Sequence, residues 1–222
     1  MKKAVVIGGT GATGRQLVKQ LLSSVDFQTV TSIGRRPVLN GNGHEKLNDV
    51  VINSMSQLQE TKDFWNGNDV FFNCIGTTRK KAGGARQFVD IELGISRLAA
   101  RMASEANIPQ ASVVSASGAN HNAWSVNWIH PLLYTKTIGQ KEQTLITEND
   151  FRRVSIFRPG MLIRFMEESK LWDKVLTSFG LGLNVDLLSQ AMIVDALRFS
   201  EGNDGKEINY IEGNHAIIDL TA

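Results

Sequence analysis

Apolar residues in this chain change their spacing at regular intervals. Ala4 to Ile7 form a four-residue apolar run, bounded at once by Gly8-Gly9-Thr10-Gly11-Ala12-Thr13-Gly14. Leu17, Val18, Leu21 and Leu22 then fall at i, i+1, i+4 and i+5, one face of a helix. The pattern predicts strand, glycine turn, helix. Phe27 to Ile33 predicts a second strand, ending at Gly34-Arg35-Arg36-Pro37. Asn40 to His44 reads as a loop and Asp49 to Asn53 as a short third strand. Asp69 to Ile75 is a fourth, apolar enough to be covered on both faces. Phe88, Ile91, Leu93, Ile95, Leu98, Ala99 and Met102 place a helix over Arg86 to Ala106, stopping before Ile108-Pro109. Ala111 to Val114 begins a fifth strand; a long loop follows, and Pro131 opens a helix running to Thr147. Val154 to Phe157 is a sixth strand, residues 163–176 and 188–200 read as helices, and Ile208 to Ile211 closes as a last short strand.

Strands that alternate with helices almost to the end predict an α/β fold with a doubly wound, mainly parallel sheet. The expected strand order is 3-2-1-4-5-6 plus an edge strand. Ligands in such sheets bind beyond the carboxyl ends of the strands. The segments Gly8–Gly14, Arg35-Arg36, Gly76-Thr77-Thr78, Ser115–Gly118 and Arg158-Pro159-Gly160 all lie at such ends, so they should converge on one cleft. Residues 1–222 suit one domain, with residues from about 160 to 222 contributing the substrate side.

The three glycines have separate uses. Gly8 lets the chain turn off the strand, Gly11 lets a pyrophosphate approach bare backbone, and Gly14 lets the helix pack close to the sheet. The helix start offers free N–H groups and the positive end of its dipole. The spacing is GxxGxxG rather than GxGxxG, and a glycine-rich turn can be purely structural. Its place between a strand and a helix favours a dinucleotide site. The second strand end then selects the cofactor. An NAD site usually carries an acid there for the ribose 2′-OH. This chain has Arg35 and Arg36 instead, and guanidinium groups bind a 2′-phosphate that a carboxylate would repel. A solvated basic turn is the bland alternative. NADP is the cofactor expected.

Composition narrows the classes. A net charge of +2 is too small to argue for nucleic acid or an anionic membrane. The one cysteine, Cys74, excludes an internal disulfide and suits a reducing compartment; it sits in an apolar strand and reads as a small core residue. The first apolar run is short and ends in glycine, unlike a signal peptide, and no stretch approaches the ~18 apolar residues of a membrane span. Cytoplasm is the expected location. Arg79-Lys80-Lys81 read equally as phosphate contacts and as a solvated turn. His121, Trp124, Trp128 and His130 cluster in one loop, suited to a substrate pocket or a homo-oligomer surface. They lack the carboxylate or cysteine set of a metal site, so no metal is expected.

The segments VVIGGTGATGRQLVKQLL, NCIGTTRKKAGGARQFVDIEL, VSASGAN and VSIFRPGML carry a family likeness. The chain resembles the atypical branch of the short-chain dehydrogenase/reductase superfamily, and within it the Tat-interacting-protein oxidoreductases. That resemblance implies a Rossmann-like NADP-binding fold and reductase activity on a small-molecule substrate. It implies Gly8, Thr10, Gly11, Ala12, Thr13 and Gly14 on the pyrophosphate side, with Arg35 and Arg36 at the 2′-phosphate. It also implies Gly76 and Thr77 by the ribose, and Pro159 and Gly160 by the nicotinamide. Superfamily catalysis uses a Ser after strand five and a Tyr-x-x-x-Lys on the next helix, matched here by Ser115, with Ser117 as second choice, and by Tyr134. The position four after Tyr134 is Ile138, so the usual cation is missing. Lys136 points away, and Lys141 lies two turns on.

Three functions follow as expectations. The first is an NADP(H)-dependent oxidoreductase acting on a small carbonyl or enone. The second is an NADP-binding regulatory or redox-sensing protein without turnover. The third is a nucleotide-sugar isomerase or epimerase, for which residues 160–222 are short.

Overall fold

A computed structural model describes residues 1–125, 130–163, 182–199 and 205–222. The first strand, β1 (Lys2–Ile7), leads through the glycine turn into α1 (Ala12–Ser23) and back to β2 (Phe27–Gly34). Then come β3 (Leu47–Val51), β4 (Val70–Asn73), the one-turn helix α2 (Arg79–Ala82), α3 (Ala85–Val89) and, after a π-helical segment at Asp90–Ile95, α4 (Ser96–Glu105). The chain continues with β5 (Gln110–Val114), α5 (His130–Thr147), β6 (Arg153–Arg158), β7 (Met161–Ile163) and β8 (Gly182–Asn184). It ends in α6 (Val185–Arg198), β9 (Glu207–Glu212) and α7 (Gly213–Asp219).

Seven strands form one parallel sheet in the order β3-β2-β1-β4-β5-β6-β9, the doubly wound order expected, with β9 as the edge strand. Alternation along the strands divides the core. Ala4, Val6, Val70 and Phe72 face α1 and α6, where Leu17, Leu21, Leu188 and Met192 pack on them. Val5, Ile7 and Phe71 face the other way, onto Trp65, Ala99, Ala103 and Leu145. Strands buried on both faces are apolar at most positions, which is why Ala4–Ile7 and Val70–Phe72 read as unbroken runs. Among the described residues no helix is long and apolar enough to cross a membrane.

Several boundaries move for local reasons. The third strand slips two residues early, to Leu47–Val51, because its register is set by pairing with Val30–Gly34. The fourth ends at Asn73 rather than Ile75, where the Ile75 N–H turns back to Asn73 Oδ1 at 3.1 Å. The helix expected over Arg86–Ala106 is present but widens at Asp90–Ile95 into π geometry. Arg79-Lys80-Lys81 form α2 rather than open loop, because Thr78 Oγ1 accepts from the Lys81 N–H and Gly83 closes the turn at φ +90°. Met55–Phe64, with few apolar residues to mark it, is a 3-10 helix held by a Ser54/Gln57 capping box. Of the helix expected at 163–176, Ile163 lies instead in β7, paired with β8; the rest falls outside the described residues. The helix expected at 188–200 begins earlier, at Val185, capped by Asn184.

Away from the strand ends, Arg153 of β6 meets Asp195 of α6 at 2.5 Å, and Asn209 of β9 also donates to Asp195 at 3.0 Å. Asp195 is 1% exposed, and removing it leaves the buried Arg153 guanidinium with the more exposed Glu207 carboxylate, 3.7 Å away. Asp195→Ala is expected to cost about 3–5 kcal/mol, read from urea denaturation. A loss under about 1 kcal/mol would show that water reaches Arg153.

Candidate functional site

The glycine turn packs backbone on backbone. Gly8 has φ +79°, and a Cβ there would fall 2.6 Å from the Cys74 carbonyl oxygen. A Cβ on Gly14 would lie 2.2 Å from the Gly8 oxygen, so α1 seats directly on the turn. The turn is closed by the Gly11 N–H donating to the Gly8 carbonyl at 2.9 Å. Gly11 is the N-cap of α1 and no side chain caps the helix start. Its first N–H groups therefore offer a site to an anion.

Beside this turn lies a cleft of about 340 Å³. Gly8, Thr10 and Gly11 form its floor, Arg35 and Arg36 one side, and Gly76 and Thr77 the other. Lys81 of α2 and the apolar pair Ile91 and Ile95 complete that second side. Among the described residues three cations line the cleft and no carboxylate does. Ala12, Thr13 and Gly14 sit in the first turn of α1 outside this lining, and Ser189 Oγ donates to the Thr13 carbonyl at 3.1 Å. Asp49 stands behind the basic corner, its carboxylate accepting from the Val38 N–H at 2.9 Å. Burial pushes its pKa up, partly offset by that hydrogen bond.

The wall at Gly76-Thr77 rests on buried charges that the sequence reading missed. Lys141 of α5 and Glu92 of the π segment are each 1% exposed. The Lys141 ammonium donates to the Ile75 carbonyl at 2.8 Å and lies 3.3 Å from Glu92 Oε2. Glu92 Oε1 accepts from the Thr77 N–H at 2.5 Å. Cys74, in the same wall, has its thiol pKa pushed up to about 12 by burial, against a smaller opposing pull from Lys141.

A second buried network occupies the ends of β5 and β6. Ser115 Oγ hydrogen-bonds Glu142 Oε1. Arg158 grips the same carboxylate with two bonds, Nε to Oε1 at 2.9 Å and Nη2 to Oε2 at 2.7 Å. It also reaches Glu212 at 3.2 Å and stacks over the Tyr210 ring at 4.7 Å. The Ser115 hydroxyl is the donor to that carboxylate. The bonds to Glu142 in turn raise the Arg158 pKa above its ordinary value.

Tyr134 lies half-buried near the start of α5, its ring stacked 5.9 Å from Phe88. Ile138, one turn on, is 3% exposed, so an ammonium in its place would be desolvated. Pro159 accepts from the Ser117 N–H at 2.9 Å, and the Gly160 N–H donates to Asn214 at 3.0 Å. Ser115, Tyr134, Pro159 and Gly160 are not part of the cleft lining. His121 is exposed and Trp124 is 69% exposed, whereas Trp128 and the His130 side chain lie outside the described residues. Among the described residues no cluster of His, Cys, Asp or Glu could hold a metal ion.

Residues 8–171 match the family model described as NAD(P)H-binding. Protein FMP52, mitochondrial, of Debaryomyces hansenii is 36% identical over 75% of this chain and 70% of its own length. Protein HTATIP2 of Rattus norvegicus is 32% identical over 76% of this chain and 66% of its own. Among solved structures, the oxidoreductase ylbE from Lactococcus lactis superposes with a TM-score of 0.65 over 98% of this chain and 96% of its own, at 16% identity. Sheet order, glycine turn and these matches agree: the chain belongs to the NAD(P)H-binding family, as an atypical short-chain dehydrogenase/reductase of the Tat-interacting-protein type.

Thiols react as thiolates, and a pKa near 12 leaves almost none at neutral pH. Native protein at pH 8 is expected to label at Cys74 with an aromatic disulfide at least ~100-fold more slowly than the same chain in urea. Comparable rates in the two states would show that the wall opens readily.

Proposed function

We propose that the chain is an NADP(H)-dependent oxidoreductase that reduces a small carbonyl or enone. One observation carries the cofactor choice. Among the described residues, the cleft beside an uncapped helix start is lined by Arg35, Arg36 and Lys81 and by no carboxylate. Such a lining suits a dinucleotide with an added phosphate and would leave NAD without its usual acidic ribose partner. The open backbone at Gly8, Thr10 and Gly11 and the free N–H groups of α1 suit a pyrophosphate. The bound cofactor would supply the hydride. The protein's own part is to hold the dinucleotide, exclude water with Ile91 and Ile95, and offer the Tyr134 phenol as a proton donor. One buried thiol and no second cysteine go with a reducing compartment, and we place the protein in the cytoplasm.

A second reading, an NADP-binding sensor without turnover, has specific support. Ile138 stands where a relay would need a cation, and the Ser115 proton is already given to Glu142. Ser115 then has only lone pairs left for a ligand and cannot donate to a carbonyl. A panel of small aldehydes, ketones and enones with NADPH separates the two readings. Consumption of NADPH that is lost in Tyr134→Phe supports the enzyme; tight binding with no consumption supports the sensor.

Titrating NADPH and NADH against the native protein and against Arg35→Ala/Arg36→Ala tests the cofactor. Charge-assisted pairs to the 2′-phosphate are worth about 1.5–3 kcal/mol, so NADPH should bind roughly 10- to 150-fold more tightly than NADH. The double variant should lose most of that ratio. Equal affinities in the native protein would overturn the assignment.

A further inference from the structure

We propose that Lys141 and Glu92 are positioning residues for the dinucleotide. They fix the wall at residues 75–77 and so govern the part of the ligand lying away from the basic corner. The inference rests on the dinucleotide reading above.

The segment 75–77 needs a support of its own. The β4 ladder ends at Asn73, so the sheet does not set the geometry of the residues that line the cleft beyond it. Beyond the Ile75 N–H on Asn73 Oδ1, three contacts do so: the Lys141 ammonium on the Ile75 carbonyl, Glu92 on the Thr77 N–H, and the ion pair between the two side chains. Lys141 hangs from α5 and Glu92 from the neighbouring π segment, so two packed elements hold the wall together. The π geometry at Asp90–Ile95 contributes. Its wider turn lets Glu92 face the buried pair while Ile91 and Ile95 line the cleft, and π turns of this kind gather at functional sites.

Stability alone does not account for the pair. Two charges taken wholly out of water can usually be exchanged for apolar side chains of similar volume at no net loss. An apolar pair, however, could not hold a carbonyl and an N–H of a loop in place. What the charges supply is the position of backbone at residues 75 and 77.

The sheet order makes this separable from the basic corner. β1 lies between β2 and β4, so Arg35-Arg36 and Gly76-Thr77 stand on opposite sides of the glycine turn. A whole dinucleotide meets both sides. Adenosine 2′,5′-bisphosphate, which lacks the nicotinamide half, serves as a probe of the corner.

The test compares these two ligands by equilibrium titration in the native protein, in Glu92→Leu/Lys141→Met and in Asp195→Ala. The apolar double variant should fold, with NADPH weakened about tenfold and adenosine 2′,5′-bisphosphate within about twofold of native. Asp195→Ala loses a buried ion pair far from the cleft, and it should lower the melting temperature while leaving both affinities unchanged. If the double variant does not fold, Glu92→Gln carries the same expectation, since it leaves the ammonium without its counter-charge. Unchanged NADPH affinity in either folded variant, or equal weakening of both ligands, would overturn the inference. Failure of the native protein to bind either ligand would instead overturn the dinucleotide reading.

Discussion

Two consecutive residues of α5 tie that helix to three consecutive strand ends. Lys141 reaches the segment after β4 through Ile75 and Glu92. Glu142 reaches Ser115, just past β5, and Arg158, at the end of β6. Every charge in these contacts is compensated, as burial in a low-dielectric interior requires. The ligand edge of a parallel sheet is otherwise a row of independent loops. Here one rigid helix sets the relative height of three of them, and the cleft takes its second wall from that arrangement.

The same pairing decides the sign of the cleft. Glu92 and Glu142 both lie close to the ligand edge, yet each is almost wholly buried and neutralised by a partner. Asp49 is turned onto the Val38 N–H behind the corner. The carboxylates are thus spent on architecture, while Arg35, Arg36 and Lys81 face the open space. A chain whose net charge is only +2 therefore presents a locally positive cleft to a phosphorylated ligand.

The sheet was legible in the sequence because its strands are short apolar runs, each punctuated by glycine or a polar turn at its end. Ala4–Ile7 and Asp69–Ile75 needed no tertiary information to be recognised, and the basic corner at Arg35-Arg36 follows directly from the strand before it. The buried networks were not legible. Glu92 and Lys141 are 49 positions apart and Ser115 and Glu142 are 27 apart, and nothing in local periodicity links a charge to its partner at that range. Glu92 and Lys141 did carry a faint signal, since each interrupts the apolar face of a helix. The 3-10 helix at Met55–Phe64 escaped because its spacing suits neither a 3.6-residue nor a 2-residue period. The π segment escaped for a related reason: one extra residue per turn shifts the apolar face midway along a helix that otherwise looks continuous.

The contact between α1 and α6 bears on how the protein is made. Ser189 donates to the Thr13 carbonyl across 176 positions, and Gln20 donates to the Asp186 carbonyl from the next turns of the same helix pair. The helix that offers its N-terminus to the dinucleotide leaves the ribosome well before α6, which covers it. Until about residue 190 has emerged, Leu17 and Leu21 have no lid over them, and the glycine turn rests on an unfinished layer. A nascent chain that holds the whole glycine motif but not α6 is thus still an incomplete nucleotide binder, and maturation of the site waits on α6.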